Sequence, residues 1–474
     1  MASREKSLAK NTLILTIGKV STQAISFFLL PLYTAYLSRE DYGVVDLLST
    51  IITLLLPIVS LQMEQAIFRY MTANRNNESE IRKVISVSFT FIFLQIAVYV
   101  CVFMIVQLFV NNAYKWFLLS NLISAVFNFS LMQVLRGFGD NVGYALSAFI
   151  SSVVNIAVNL ILILCCNWGA TAMLTAALMG NIISSIFIIC RIKIWRFYQI
   201  SLFEKYRLKE LLSYCVPLVP NELSWWAIRA SDRFVIAAVL GTAINGIVAV
   251  AHKFPSIFIM FYNIFGIAWN ESVILHLRDD DGDVYFSSLV NKMIRLFSCI
   301  ALLIIATMPI AFGLLVNDSF HQAYDLIPLY MIGAILNVII GLVSVVYIVY
   351  KRTKVIAKTS FVSAIICILS NIILVKIIGV YASPVSNIIG FGAMALYRCI
   401  DIRKYVKVKW DIRYVIAFII MLSFTLLCYY LKFPYMRCLG LVMATLFVFW
   451  SNKTEIYTII NMCISKCQSI LNVR

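Results

Sequence analysis

Four charged side chains stand inside one apolar run. The stretch SYCVPLVPNELSWWAIRASDRFVIAAVLG, residues 213–241, carries Glu222, Arg229, Asp232 and Arg233 among Trp, Ile, Val and Ala. Arg229 and Arg233 are four residues apart, and Asp232 is three beyond Arg229, so on a helix the three share a face. Glu222 lies seven before Arg229, two turns away on that same face. Guanidinium groups grip phosphate oxygens in bidentate fashion, so this face suits an anionic substrate. The other use of the same residues is an Arg–Asp pair that locks the helix to its neighbours. One acid cannot neutralise two arginines within a turn, which favours the substrate reading. Pro217 and Pro220 remove backbone donors before the charged turns, an interruption tolerated in lipid where the backbone lines a cavity.

Two lysines sit well inside apolar runs, Lys19 and Lys253 beside His252, and Asp46 and Glu64 lie near opposite ends of the run 42–66. Neither lysine is near enough to the end of its run to reach water easily, so each is expected to face a cavity. Asp46 is a candidate partner for a cation, or a titrating site for ion coupling, as are Asp232 and Glu222. Glu64 reads as interfacial. Trp225, Trp226, Trp269, Phe261, Tyr262 and Phe265 offer ring faces to a sugar, although packing is the commoner use of aromatics in apolar helices.

The elements that hold these residues follow from composition. The chain of 474 residues is 62% hydrophobic and 13% charged, with a mean hydropathy of +0.91. A soluble chain of this length carries about a quarter charged residues, so the solvent here is largely lipid. About fourteen runs are long and apolar enough to span. They lie near 11–32, 42–66, 84–110, 115–135, 143–166, 169–190, 211–239, 242–269, 289–314, 322–350, 355–376, 379–398, 412–431 and 435–451. The expected fold is an all-α integral membrane protein. The basic N-terminus leads into a retained first span rather than a cleaved signal peptide.

The net charge of +17 would suggest nucleic acid in a soluble domain. Here its distribution gives a better account. With a cytoplasmic N-terminus, thirty of the 39 Lys and Arg fall in inside segments, five outside and four within spans. That asymmetry is the positive-inside pattern, and it places both termini in the cytoplasm. The most basic inside loop, 191–210, divides the chain into an N-lobe over 1–190 and a C-lobe over 211–400. A final span pair occupies 401–451, and 452–474 reads as an amphipathic tail on the membrane surface. Both lobes enter the membrane from the same side, so a repeat relating them would be parallel. AYLSREDYGVVDLLS at 35 and AVLGTAINGIVAVAH at 238 align Leu37 with Leu240 and Gly43 with Gly246.

Other chemistry is missing from the pattern. There is no GxxxxGK[ST] phosphate loop, and the three histidines have no metal-ligand spacing. The DDDGD run at 279–283 puts Leu277 and Ser288 where a calcium loop needs carboxylates. The outer loops are a few residues long, too small for a glycan polymerase or ligase site. A transporter without cofactor or metal is the remaining class.

Two stretches carry a family resemblance. SDRFVIAAVLGTAINGIVAVAHKFPSIFIMFYNIFGIAWNES, 231–272, and NTLILTIGKVSTQAISFFLLPLYTAYLSREDYGVVDL, 11–47, resemble bacterial polysaccharide-export flippases. These belong to the multidrug/oligosaccharidyl-lipid/polysaccharide exporter superfamily. The resemblance, which extends to the span layout, implies two pseudo-symmetric six-helix lobes set in a V around a central cavity. It implies movement of a polyprenyl-diphosphate-linked oligosaccharide to the outer leaflet of a bacterial plasma membrane, with H⁺ or Na⁺ as coupling ion. Glycan polymerase and chain-length proteins are the partners implied. By the same resemblance Arg229, Arg233, Lys253 and Lys19 would bind the diphosphate. GIVAVAHK at 246–253 departs from the family's common GIYSVAYK, with Val248 and His252 in place of aromatics. A cation-coupled multidrug or metabolite antiporter is the alternative, since Asp46, Glu64, Glu222 and Asp232 equal the intramembrane cations in number.

Overall fold

The computed structural model describes residues 27, 29–109, 113–431 and 433–453, without the side chains of 229, 267, 268 and 271. Most of the first span, Lys19 included, and the tail beyond 453 lie outside the described residues. What is described is all-helical. In chain order the helices are α1 (Leu30–Tyr36), α2 (Arg39–Ser60), α3 (Met63–Ala73), α4 (Glu78–Val106), α5 (Lys115–Phe138), α6 (Asn141–Leu164), α7 (Ala170–Ile192), α8 (Lys205–Cys215) and α9 (Val219–Leu240). There follow α10 (Thr242–Ala251), α11 (Lys253–His276), α12 (Gly282–Leu315), α13 (Gln322–Val349), α14 (Thr353–Ile378), α15 (Ala382–Asp401), α16 (Ile412–Tyr430) and α17 (Pro434–Ser451).

Among the described residues, ten helical runs are long and apolar enough to cross a membrane, or eleven if α10 with the first part of α11 forms one span. One of the ten, Thr353–Lys404, is α14 and α15 folded back on each other, with Ser363 Oγ donating to the Gly390 carbonyl at 2.9 Å. The protein is therefore a multi-pass membrane protein. Rows of apolar residues, such as Leu94, Val98 and Val102 on α4, stay exposed on the helices.

Contacts divide the chain into two compact units. The first is Met1–Ala249 with Asn371–Val380, and the second is Val250–Ser370 with Tyr381–Arg474. In the first unit a core forms where α3, α4, α5 and α8 meet around Ile67, Met71, Ile85, Leu131 and Leu211. Small and amide side chains hold its spans together, as expected where helices share no hydrophobic driving force. Asn128 Nδ2 donates to the Asn181 carbonyl and to Ser185 Oγ, both at 3.1 Å, and Ser184 Oγ donates to the Ser147 carbonyl.

The basic loop 191–210 is docked rather than free. Arg207 binds Glu80 at 2.8 Å, Lys83 binds Glu204 at 3.1 Å, and the Gln199 amide donates to Ser86 Oγ. The run expected as one span over 211–239 is broken: α8 ends at Cys215, a 3₁₀ turn covers Val216–Leu218, and α9 starts with Pro220 in its first turn. Each proline lies where the missing N–H costs least. A second break follows Pro57 on α2. Leu61 and Gln62 both take left-handed conformations, φ 49° and 58°, which β-carbon-bearing residues adopt rarely and at a cost.

The two glycines aligned by sequence lie against each other. A β-carbon on Gly43 would collide with the Thr242 carbonyl, and one on Gly246 would collide with the Arg39 carbonyl. The two clashes keep one register, since Arg39 and Thr242 are spaced as Gly43 and Gly246 are. The first turns of α2 and α10 thus cross backbone to backbone. Asn245, fully buried, adds a hydrogen bond from Nδ2 to the Gly43 carbonyl at 3.0 Å.

In the second unit, Phe297 is ringed edge-on by Phe258, Tyr262 and Phe265. Trp269, 1% exposed, donates Nε1 to the Leu342 carbonyl at 3.2 Å. α16 and α17 pack on α12, where Arg295 pairs with Asp411 at 3.0 Å.

The crossing makes a direct prediction. Gly43→Leu should destabilise the detergent-solubilised protein by about 1–3 kcal/mol, the ordinary cost of overpacking. Gly266→Ala, in a helix position with nothing near the added carbon, should be neutral or slightly stabilising. Thermal unfolding of the two variants checks this; equal midpoints would remove the crossing from the account.

Candidate functional site

A cavity of about 430 Å³ opens between α2 and α9 in the first unit. α2 contributes Ser49, Thr50, Thr53, Leu56 and Pro57, Gln62 adds an amide at the helix break, and α9 contributes Glu222, Trp226, Ala230 and Arg233. The α2 wall is a helical stripe, because Asp46, Thr50, Thr53 and Pro57 recur every three or four residues.

Arg233 is the centre of the arrangement. Its Nη1 donates to Asp46 Oδ1 at 2.9 Å and to Thr50 Oγ1 at 3.2 Å. The two charged side chains are 21% and 16% exposed, so the pair is screened from water without being sealed. Asp46 Oδ2 lies 3.4 Å from Asn245 Nδ2, which ties the ion pair to the glycine crossing. Two turns before Arg233 on α9, Trp226 Nε1 donates to the Thr50 carbonyl at 3.1 Å, and its ring packs edge-on against Phe234. Thr50 is thus held from both ends. Its hydroxyl also donates back to the Asp46 carbonyl at 2.8 Å, the bond through which a threonine tolerates a helix interior.

The sequence-derived residues are distributed as follows. Arg233 and Glu222 line the cavity, and Asp46 stands behind its wall as the partner of Arg233. Asp232 points into the packed side of α9, 4% exposed, with Oδ1 accepting from the Arg233 amide. Arg229 lies on α9 one turn before Arg233, and its side chain is not described. Lys253 opens α11 in the second unit, half-buried. Lys19 lies outside the described residues. Trp269 is packed away, while Trp226 reaches the cavity. Glu64, expected at the interface, is 5% exposed at the start of α3.

Sequence reasoning passed over Thr50 and Asn245, which fix the two acid–base partners in place. The threonine was visible as part of the stripe from Asp46, whereas Asn245 carries no signal until α10 is laid across α2.

Helices of this length, two of them walling a cavity that holds Glu222 and Arg233, describe a multi-pass membrane protein. The comparisons narrow the class. Residues 8–269, more than half of the chain, match the model of the family described as "Polysaccharide biosynthesis protein", and the chain belongs to that family. None of the curated proteins matches. Among solved structures, an inward-facing multidrug resistance transporter of the MATE family, MOP superfamily, aligns with TM-score 0.66 and 13% identity, over 82% of this chain and 98% of that one. The lipid II flippase MurJ in an inward closed conformation aligns with TM-score 0.66 and 17% identity, over 94% of this chain and all of that one. An outward-facing MATE transporter aligns at TM-score 0.57 with 14% identity, over 83% and 96%. At these identities the likeness is one of fold.

A double-mutant cycle tests the ion pair. Asp46→Ala and Arg233→Ala should be coupled by about 1–3 kcal/mol in thermal or denaturant unfolding, as expected of partners in contact. Additive effects within about 0.5 kcal/mol would mean that the pair carries no net interaction.

Proposed function

We propose that the chain moves a polyprenyl-diphosphate-linked oligosaccharide from the cytoplasmic to the outer leaflet of a bacterial plasma membrane, for assembly of cell-surface polysaccharide. The observation that carries this reading is Arg233, held at a cavity wall by one carboxylate and one hydroxyl. Membership in a polysaccharide-biosynthesis family and the fold likeness to a lipid II flippase support it.

The physical task is specific. Sugars and diphosphate cannot cross about 30 Å of hydrocarbon unaided, whereas a prenyl tail can stay in lipid throughout. The cavity wall needs a cation that the substrate can take over and that a protein group satisfies when the cavity is empty. Arg233 and Asp46 meet both needs. An arriving diphosphate competes with Asp46 for the guanidinium, offering two oxygens in the geometry that Arg prefers. Arg229, one turn away, and Lys19 are further diphosphate ligands in this proposal, and Lys253 of the second unit is a candidate on the family resemblance alone. Asp46, left without its partner, then takes up H⁺ or Na⁺, with Glu222 and Asp232 balancing charge on α9. Return of Arg233 to Asp46 expels the ion after the substrate leaves.

Alternating access also has a place to act. The Gly43–Gly246 crossing lies at the ends of α2 and α10 that the charge distribution puts outside. In this reading the crossing closes the outer side, and outward opening parts the two glycines. The lobes 1–190 and 211–400 are the proposed moving bodies, the docked segment 191–210 their link, and both termini stay cytoplasmic.

Arg233→Ala should lower the rate of surface-glycan export in cells at least tenfold, since charge-assisted hydrogen bonds contribute about 1.5–3 kcal/mol. Lipid-linked oligosaccharide should accumulate with its glycan on the cytoplasmic side. Full export by Arg233→Ala at wild-type expression would refute the proposed role. Loss of resistance to cationic dyes, with export intact, would favour a multidrug antiporter instead.

A further inference from the structure

Among the described residues, no carboxylate pairs with Arg398. It is 1% exposed, near the end of α15. Among the described residues its guanidinium is held by neutral oxygens. Nε and Nη2 donate to Thr359 Oγ1 at 3.0 and 2.6 Å, and Nη1 donates to Ser344 Oγ at 2.6 Å. Nη2 also reaches Ser360 Oγ and the Ile356 carbonyl, each at 3.1 Å. Asp401, one turn on, is engaged elsewhere, accepting from Tyr347 Oη at 3.0 Å and Lys404 Nζ at 2.6 Å. Hydroxyls satisfy the donors of a buried guanidinium but leave its charge uncompensated.

Beside it lies a pocket of about 250 Å³ between α14 and α15, lined by Lys358, Thr359, Val362, Ser363, Ile366, Ala393, Met394 and Tyr397. Thr359 belongs to both sites, so the guanidinium sits directly behind the pocket wall. Lys358 makes no ion pair among the described residues, and Tyr397, 52% exposed, makes no hydrogen bond among them. These two stand at the end of the hairpin that also bears Lys351, Arg352, Lys354, Arg403 and Lys404. The positive-inside rule places that end at the cytoplasmic surface. Below them the lining turns apolar, with Ile366 about 12 Å deeper along α14 than Lys358.

We propose that this pocket binds an anionic phospholipid of the cytoplasmic leaflet. The phosphate lies between Lys358 Nζ and Tyr397 Oη, and one acyl chain runs along Val362, Ile366 and Ala393. Arg398 attracts the phosphate through Thr359, and the phosphate supplies the counter-charge that the protein lacks there. Basic pockets between membrane helices on the cytoplasmic side take lipid headgroups in this way. The site lies wholly within the second unit and does not depend on the transported substrate.

Native mass spectrometry of the purified full chain, titrated with phosphatidylglycerol or phosphatidylcholine, tests the proposal. Wild type should retain phosphatidylglycerol preferentially. Lys358→Ala should reduce that preference about fivefold, the factor one lysine contributes near an anionic surface. Val362→Trp should block the chain trough and lower occupancy by both lipids. If Lys358→Ala melts early, Tyr397→Phe carries the same test. Equal retention of the two lipids, or a preference unchanged by Lys358→Ala, overturns the proposal. Displacement of phosphatidylglycerol by an equal concentration of inorganic phosphate also overturns it, by indicating a site for a soluble anion.

Discussion

A charge kept in lipid must be answered by another charge or by water, and the contact of Arg233 with Asp46 is where this chain meets that demand. The pair joins α2 to α9 at 2.9 Å, and Thr50, Trp226 and Asn245 take their positions around it. α9 alone is poorly suited to a membrane, since its middle turns hold Arg229, Asp232 and Arg233. Packed on α2, it becomes one wall of a cavity that takes up Glu222 and Arg233. The ion pair is partly exposed, which matters energetically: a sealed pair would be hard to exchange, and a fully wet one would fix nothing.

The close approach of α2 and α10 follows from the same requirement. Gly43 and Gly246 remove the side chains that would hold the helices apart, and Asn245 uses that proximity to reach both the Gly43 carbonyl and Asp46. Helix crossing and ion pair therefore share a residue. A movement that parts the glycines also strips Asp46 of one of its hydrogen-bond donors, which gives the cavity a mechanical link to the helix ends.

Much of the fold was legible in the sequence because lipid imposes simple rules. Apolar runs of the right length became helices, as with 115–135, realised as Lys115–Phe138, and 169–190, realised as Ala170–Ile192. The echo of Gly43 in Gly246 spoke only for a repeat, and their contact became visible in the folded chain alone. The helix breaks were less legible. Pro217 and Pro220 announced one, but the left-handed pair Leu61–Gln62 has no sequence mark, since neither residue favours that conformation. Docking of 191–210 was hidden for another reason: basic loop residues look solvated until Glu80 and Glu204 are brought beside Arg207 and Lys83. At the site, Arg233 and Asp46 stood out as intramembrane charges, while their pairing, between residues 187 positions apart, belongs to tertiary structure alone.

The central claim is that Arg233 exchanges Asp46 for an anionic diphosphate. The most direct measurement is the affinity of the purified chain, in lipid nanodiscs, for undecaprenyl diphosphate, comparing wild type with Arg233→Ala. The account predicts binding by wild type and at least a tenfold loss in the variant, in keeping with a charge-assisted bidentate contact. Equal affinity of the two proteins would contradict it and return Arg233 to the role of a strut between helices.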